Sequence, residues 1–307
     1  MGASLSAVQT VLGPVSPGSL GITMPHEHTF VDTMREYRGD GLVHDAAMIA
    51  SDLRLYAGLG GRTIVDCTSR GLRPEPARLS ELSRSTGVQI VAGTGFYRHP
   101  FLDEDWFDRH STDEVADLII RDIRVGIDDS GVRAGIIGEI GCDRFLTPAE
   151  ERSFRAAARA HLETGLTITT HAGRWPVGLP QLDLLASEGV PAERVIVGHC
   201  DMVPDIAYHQ QLAERGAWVQ FDNIQAGPEV VLEATVRAIT ALVVAGHEGR
   251  ILLSQDICLV SQFRTMGGSG YGYILESFVP RLMGAGMDPT TIDRLLVDNP
   301  ARALVGA

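Results

Sequence analysis

The sequence predicts an α/β protein built as a (β/α)8 TIM barrel, and three observations lead there. From Gly21 onward, eight short β-branched runs alternate with longer segments of helical periodicity. Three connections repeat one stop signal, in which a helix end, a glycine and a strand follow closely: Leu59-Gly60-Gly61, Thr86-Gly87 and Arg215-Gly216. No GxGxxG follows the first strand, which weighs against a doubly wound open sheet.

The strand candidates are Leu20–Met24, Thr63–Cys67, Val88–Ala92, Ala134–Ile140, Thr167–Thr170, Val195–Gly198, Trp218–Phe221 and Ile251–Ser254. Helical patterns fall at His44–Ala57, Glu75–Ser85 and Thr112–Asp128, the last with Val115, Leu118, Ile119 and Ile123 at helical spacing. A capping box, Thr147-Pro148-Ala149-Glu150, opens a helix that runs to about Glu163 and stops at Thr164-Gly165. Leu179–Glu188, Pro204–Arg215 and Glu229–Ala245 complete the series. With no linker or low-complexity stretch, residues 1–307 read as one barrel domain whose residues 1–19 lead in and cover the barrel floor. Two long loops are expected at the mouth: Tyr97–Ser111, which holds Trp106, Phe107 and His110, and the glycine-rich segment Cys258–Tyr273.

Composition narrows the function. Apolar content of 44% and charged content of 21% are those of a soluble globular protein. Neither a membrane-length apolar run nor a signal-like segment is present, so the cytoplasm is the expected location, with no membrane partner. A net charge of −13 repels phosphate backbones, so nucleic acid is not expected as a partner. A small-molecule substrate is, and a homodimer is left open. Cys67, Cys142, Cys200 and Cys258 lie far apart without CxxC spacing. Every basic side chain other than histidine is an arginine. The absence of lysine excludes a Schiff base, a P-loop lysine and a carboxylated-lysine metal bridge.

The strand ends carry the chemistry. Strand one ends in Pro25-His26-Glu27-His28, where residues two apart point the same way. Strand four ends in Gly138-Glu139, strand five in Thr170-His171, strand six in Gly198-His199 and strand eight in Gln255-Asp256. In a closed barrel these ends meet at one mouth. Four imidazoles and two carboxylates exceed what one tetrahedral zinc with an open position needs, and suit two ions. The expected partition gives His26, His28 and Asp256 to one ion and His171 and His199 to the other, with Glu139 bridging. Taken singly, each residue also has an ordinary reading, as a hydrogen-bonded histidine, a paired buried acid or a helix cap.

These motifs, with Gly93-Thr94-Gly95-Phe96-Tyr97, the run from Ala134 to Gly141, Gly198-His199-Cys200-Asp201, Leu252-Leu253-Ser254-Gln255-Asp256 and Asn299-Pro300, resemble the phosphotriesterase family of the amidohydrolase superfamily over nearly the whole chain. The resemblance implies an amidohydrolase-type barrel and two divalent ions, zinc first, with manganese, cobalt or iron as alternatives. It also implies hydrolysis by a metal-bridging hydroxide, with His26, His28, Glu139, His171, His199 and Asp256 as ligands. Glu139 stands where phosphotriesterases and lactonases proper have a carboxylated lysine, as in the phosphotriesterase-homology and phosphotriesterase-related branches. The stretch from His171 to Arg174 is similar to the latter, which is associated with N-acyl amino-acid-type amides. After strand seven, Phe221-Asp222-Asn223 replaces a relay histidine of the organophosphate hydrolases.

The expected activity is metal-dependent hydrolysis of a carboxylic ester, lactone or amide. A phosphotriesterase is the alternative, and a non-catalytic metal-binding protein ranks third. Asp256 is the expected proton acceptor. Tyr97 is assigned to the substrate carbonyl, as its counterpart is in lactonases, or else to the rim. Arg174 is assigned to a substrate carboxylate or sulfonate, or else to a surface ion pair.

Overall fold

The computed structural model describes residues 5–306. Eight strands form one sheet in chain order, every neighbouring pair parallel: β1 (Ile22–Glu27), β2 (Gly61–Asp66), β3 (Gln89–Thr94), β4 (Ile136–Gly141), β5 (Ile168–His171), β6 (Val195–Val197), β7 (Trp218–Phe221) and β8 (Ile251–Leu253). The sheet curls into a nearly closed (β/α)8 barrel. Its first and last strands meet at their C-terminal ends, where the Asp256 N–H donates to the His26 carbonyl (3.2 Å) and the His28 N–H to that of Ile257 (3.2 Å). Glu27 reinforces the seam, because its carboxylate accepts from Ser254 Oγ and from the Gln255 and Ile257 backbone. Burial raises the Glu27 pKa to about 7.

Helices α1 (Ala46–Gly58), α2 (Pro76–Thr86), α3 (Thr112–Arg124), α4 (Pro148–Thr164), α5 (Gly178–Ser187), α6 (Ile206–Glu214) and α7 (Glu229–Val244) cross between the strands. The expected capping box of α4 is present. Thr147 accepts from the Glu150 N–H, Glu150 returns to the Thr147 N–H, and Gly165 ends the helix in the left-handed region. Helix α3 stops four residues short of the expected Asp128, because the chain turns at Gly126 with φ 146°.

Inside the barrel, Val65, Val91, Ile136, Ile196, Trp218 and Leu252 form one apolar layer below the strand ends. Val8 from the N-terminal hairpin (Val8–Thr10, Gly13–Val15) and Leu304 and Val305 from the C-terminal helix Asn299–Val305 pack into it. The first four residues of the expected lead-in lie outside the described residues. Asn299 donates to the Ile251 and Glu248 carbonyls, so the Asn-Pro motif anchors the start of β8. Among the described residues, no helix is long and apolar enough to cross a membrane.

Three expectations need correction. A helical run from Ile274 to Val305, broken near Gly286, follows β8, where the sequence reading stopped at α7. The glycine run Gly267–Gly272, expected in an open mouth loop, is packed against the residues that follow β1 and β8. Tyr271 is buried, its hydroxyl donates to the His28 carbonyl (2.6 Å), and the Gly270 carbonyl accepts from Gln255. In the loop after β3, Trp106 stacks on Phe96 and Phe107 meets it edge to face, away from the site, on the short helix Glu104–Arg109.

Gly138 precedes Glu139 with φ 124°, and an added Cβ there meets the Thr169 carbonyl oxygen at 2.2 Å. Gly138→Ala is expected to cost more than about 3 kcal/mol. Gly165→Ala, at an uncrowded cap, should cost about 1 kcal/mol. Urea unfolding of the metal-free proteins checks the order, and equal losses would contradict it.

Candidate metal centre

Strand parity places both histidines of the first motif on one side of β1, and the ends of β4, β5, β6 and β8 bring the others to them. Glu139, fully buried, is the hub. Its Oε2 lies 3.1 Å from His199 Nε2, 3.3 Å from His26 Nε2 and 3.4 Å from His171 Nδ1, and its Oε1 lies 4.0 Å from His28 Nε2. Asp256 Oδ1 lies 3.3 Å from His28 Nε2 and 3.9 Å from His26 Nε2. All six expected side chains therefore meet. His199 (φ 57°) and Asp256 (φ 52°) hold left-handed backbone, a strain that clusters at functional sites.

Within the group the side chains do not divide into two separate sets. The ligand atoms of His26, His28 and Asp256 lie within 4.8 Å of one another, and so do those of His26, Glu139 and His199. His26 thus faces both halves, while His171 Nδ1 stands 2.8 Å from His199 Nε2. The cause is Asp222 at the end of β7, which binds His26 Nδ1 through Oδ2 (3.0 Å) and His199 Nδ1 through Oδ1 (2.8 Å) and draws the two rings together.

Sequence reasoning noticed Asp222 only as a missing histidine. It also missed Gln220, 2.8 Å from Asp222 Oδ2, and Thr68, 2.9 Å from His28 Nδ1. An acid directly after an apolar strand was the available signal.

These outer partners occupy the far nitrogens of three imidazoles and leave the near ones aimed inward, as metal sites require. His26 Nε2 makes no hydrogen bond although it is buried. A buried orphan nitrogen beside an anion and two further imidazoles fits a divalent cation. The electrostatics agree. Burial would raise Glu139, yet His26, His171 and His199 hold it well below the usual carboxylate range. Burial would lower His199, yet Asp222 and Glu139 raise it well above an ordinary imidazole. His171 falls to about 4 through burial and the adjacent His199.

Above the cluster lies a cavity of about 140 Å³ lined by Tyr37, Tyr97, Arg98, Asp143, Arg174 and Met202 among others. The Tyr97 hydroxyl reaches His171 Nδ1 (3.2 Å). Arg98, another residue absent from the sequence reading, grips Glu36 with both oxygens (2.9 and 2.8 Å) and Asp143 (3.1 Å), tying three loops around the mouth. Arg174 is exposed, has φ 67° and forms no ion pair among the described residues.

A model of the phosphotriesterase family matches residues 6–304. The chain belongs to the phosphotriesterase family. It is 35% identical to the phosphotriesterase homology protein of Escherichia coli (strain K12), over 92% of this chain and 97% of that one. The N-acetyltaurine hydrolase of Salmo salar is 30% identical over 99% of both chains. A crystal structure of a lactonase from Listeria monocytogenes superposes with a TM-score of 0.92 at 30% identity, covering 98% of this chain and all of the other. The chain is accordingly a hydrolase of this family, with His, Glu and Asp groups able to bind metal.

Raised pKa values mean that His26 and His199 keep their protons in the metal-free chain, where a cation needs the lone pairs. Metal uptake should therefore release protons, and affinity should rise with pH between about 6 and 8. Chelator competition with zinc at both values checks this, and a flat profile would contradict it.

Proposed function

We propose that this hydrolase cleaves a carboxylic ester, lactone or amide, best an N-acyl amide whose leaving group carries an acidic end, over two divalent ions, zinc first. His26, His28 and Asp256 are assigned to one ion, His171 and His199 to the other, and Glu139 to both. His26, shared between the two atom groups, is the residue on which the partition turns. The observation that carries the substrate reading is Arg174, a guanidinium that forms no ion pair among the described residues and lies at the rim of a small cavity over the candidate metal-binding side chains. The N-acetyltaurine hydrolases among the relatives support the same class, since their substrate name joins an acyl amide to a sulfonate.

Divalent cations supply Lewis acidity toward the scissile carbonyl and lower the pKa of water in the site. The remaining work falls to the protein. Asp256 accepts the proton of the attacking water and returns it to the departing nitrogen or oxygen. Tyr97, with its hydroxyl at the edge of the cluster, turns from His171 to donate to the substrate carbonyl oxygen. Arg174 takes the acidic end of the leaving group in its fork. Asn223, whose Nδ2 lies 3.2 Å from Asp222 Oδ1, stands after β7 and cannot relay a proton as a histidine would.

A panel of N-acyl amino acids, N-acyltaurines, lactones and paraoxon on the zinc-loaded protein tests the reading. Amide or lactone turnover well above paraoxon turnover is expected, and the reverse order would make the protein a phosphotriesterase. Arg174→Met should raise KM for anionic substrates about ten-fold or more, the weight of one charge-assisted bidentate contact, and spare neutral ones. Equal losses would remove the anion role. Asp256→Asn should lower kcat by about 10² to 10⁴.

A further inference from the structure

Asp222 sits beneath both halves of the cluster, fully buried on the last turn of backbone after β7. Its Oδ1 accepts from the His199 backbone N–H (2.9 Å), from His199 Nδ1 (2.8 Å) and from Asn223 Nδ2 (3.2 Å). Its Oδ2 takes His26 Nδ1 (3.0 Å) and Gln220 Nε2 (2.8 Å), and that amide nitrogen also lies 3.0 Å from His26 Nδ1. One carboxylate therefore holds an imidazole facing each half. An ionised carboxylate only accepts, so it can serve both rings only while each carries its proton on Nδ1. When a cation displaces the second proton, each ring presents its Nε2 lone pair beside Glu139, 3.3 and 3.1 Å away.

We propose that Asp222, by accepting from one imidazole on each side, selects the metal-binding tautomer of His26 and His199 together, so that this single side chain sets the affinity of both ion positions at once. This rests on the two-ion reading above. An amide at this position cannot do the same, because it has one accepting end and one donating end. The His199 backbone N–H and Asn223 keep the oxygen on the Oδ1 side, which turns the amide nitrogen toward His26. His26 Nδ1 must then accept, its proton moves to Nε2, and that nitrogen is closed to a cation. Replacement by alanine forces neither tautomer. It leaves both rings able to bind and merely loosens them.

The test counts ions and needs no turnover. Both substitutions are made on a Gln220→Met chain, which removes the nearby amide that can turn over and offer His26 an acceptor. Metal per chain is read by mass spectrometry after equilibrium dialysis against zinc, and again by titration with cobalt(II) followed in the visible range. The Gln220→Met reference is expected to hold two ions, Asp222→Asn one, and Asp222→Ala two at affinities about 10- to 100-fold weaker. Thermal melts of the metal-free proteins check that each is folded. Should the asparagine variant not fold, the alanine variant decides: parallel weakening of both ions supports the role, and unchanged affinities overturn it. Two ions held at reference affinity by folded Asp222→Asn overturn it as well. A wild-type chain that holds fewer than two ions removes the two-ion reading itself, and the coupling with it.

Discussion

A carboxylate buried without water must be met by positive charge, and Glu139 imposes that demand on everything around it. Four imidazoles crowd its two oxygens within 4.0 Å, and among the described residues no arginine pairs with it. In the metal-free chain the balancing charge is protons on imidazoles, which Asp222 and Glu139 together hold on His26 and His199. A divalent cation answers the same demand with a charge that need not be shared out among rings. Replacing protons by cations is thus built into the electrostatics of the cluster.

The fold supplies the rest by dividing labour along the barrel axis. The apolar layer around Trp218 and Leu252 fills the lower half with packed side chains, while the strand ends above it carry polar side chains. Glu27, between two expected ligands, does mechanical work. By accepting three hydrogen bonds from Ser254, Gln255 and Ile257, it fixes the turn that presents Asp256. Arg98 does the corresponding work at the rim, where it binds Glu36 and Asp143 and lies 5.0 Å from the Tyr97 ring.

What could be read from the sequence follows from how locally each feature is encoded. Strands were legible as apolar runs, and α4 as a capping box with proline and a terminal glycine, because the signal and the element share the same residues. The six inward side chains were legible because a barrel converts position at a strand end into position in space. Asp222 was not legible as a clamp, since its role depends on two rings brought from β1 and β6. The packing of the glycine run after β8 was not legible, because glycine marks close packing as readily as an open loop, and here Tyr271 within it is fully buried. Trp106 and Phe107 were misplaced for a similar reason: loop length hid a short helix capped by Asp103. The C-terminal helices have π turns at Ile274–Phe278 and Arg294–Asp298, which blur the 3.6-residue period.

As proposed above, the side chains of His26, His28, His171, His199 and Asp256 gathered around Glu139 would hold a pair of cations with it. Anomalous diffraction from crystals grown with zinc, collected on both sides of the metal edge, addresses it directly. Two peaks flanking the Glu139 carboxylate, one toward His28 and Asp256 and the other toward His171 and His199, are the predicted result. A map with no anomalous peak at Glu139, or with a single ion bound only by side chains outside this group, would contradict it.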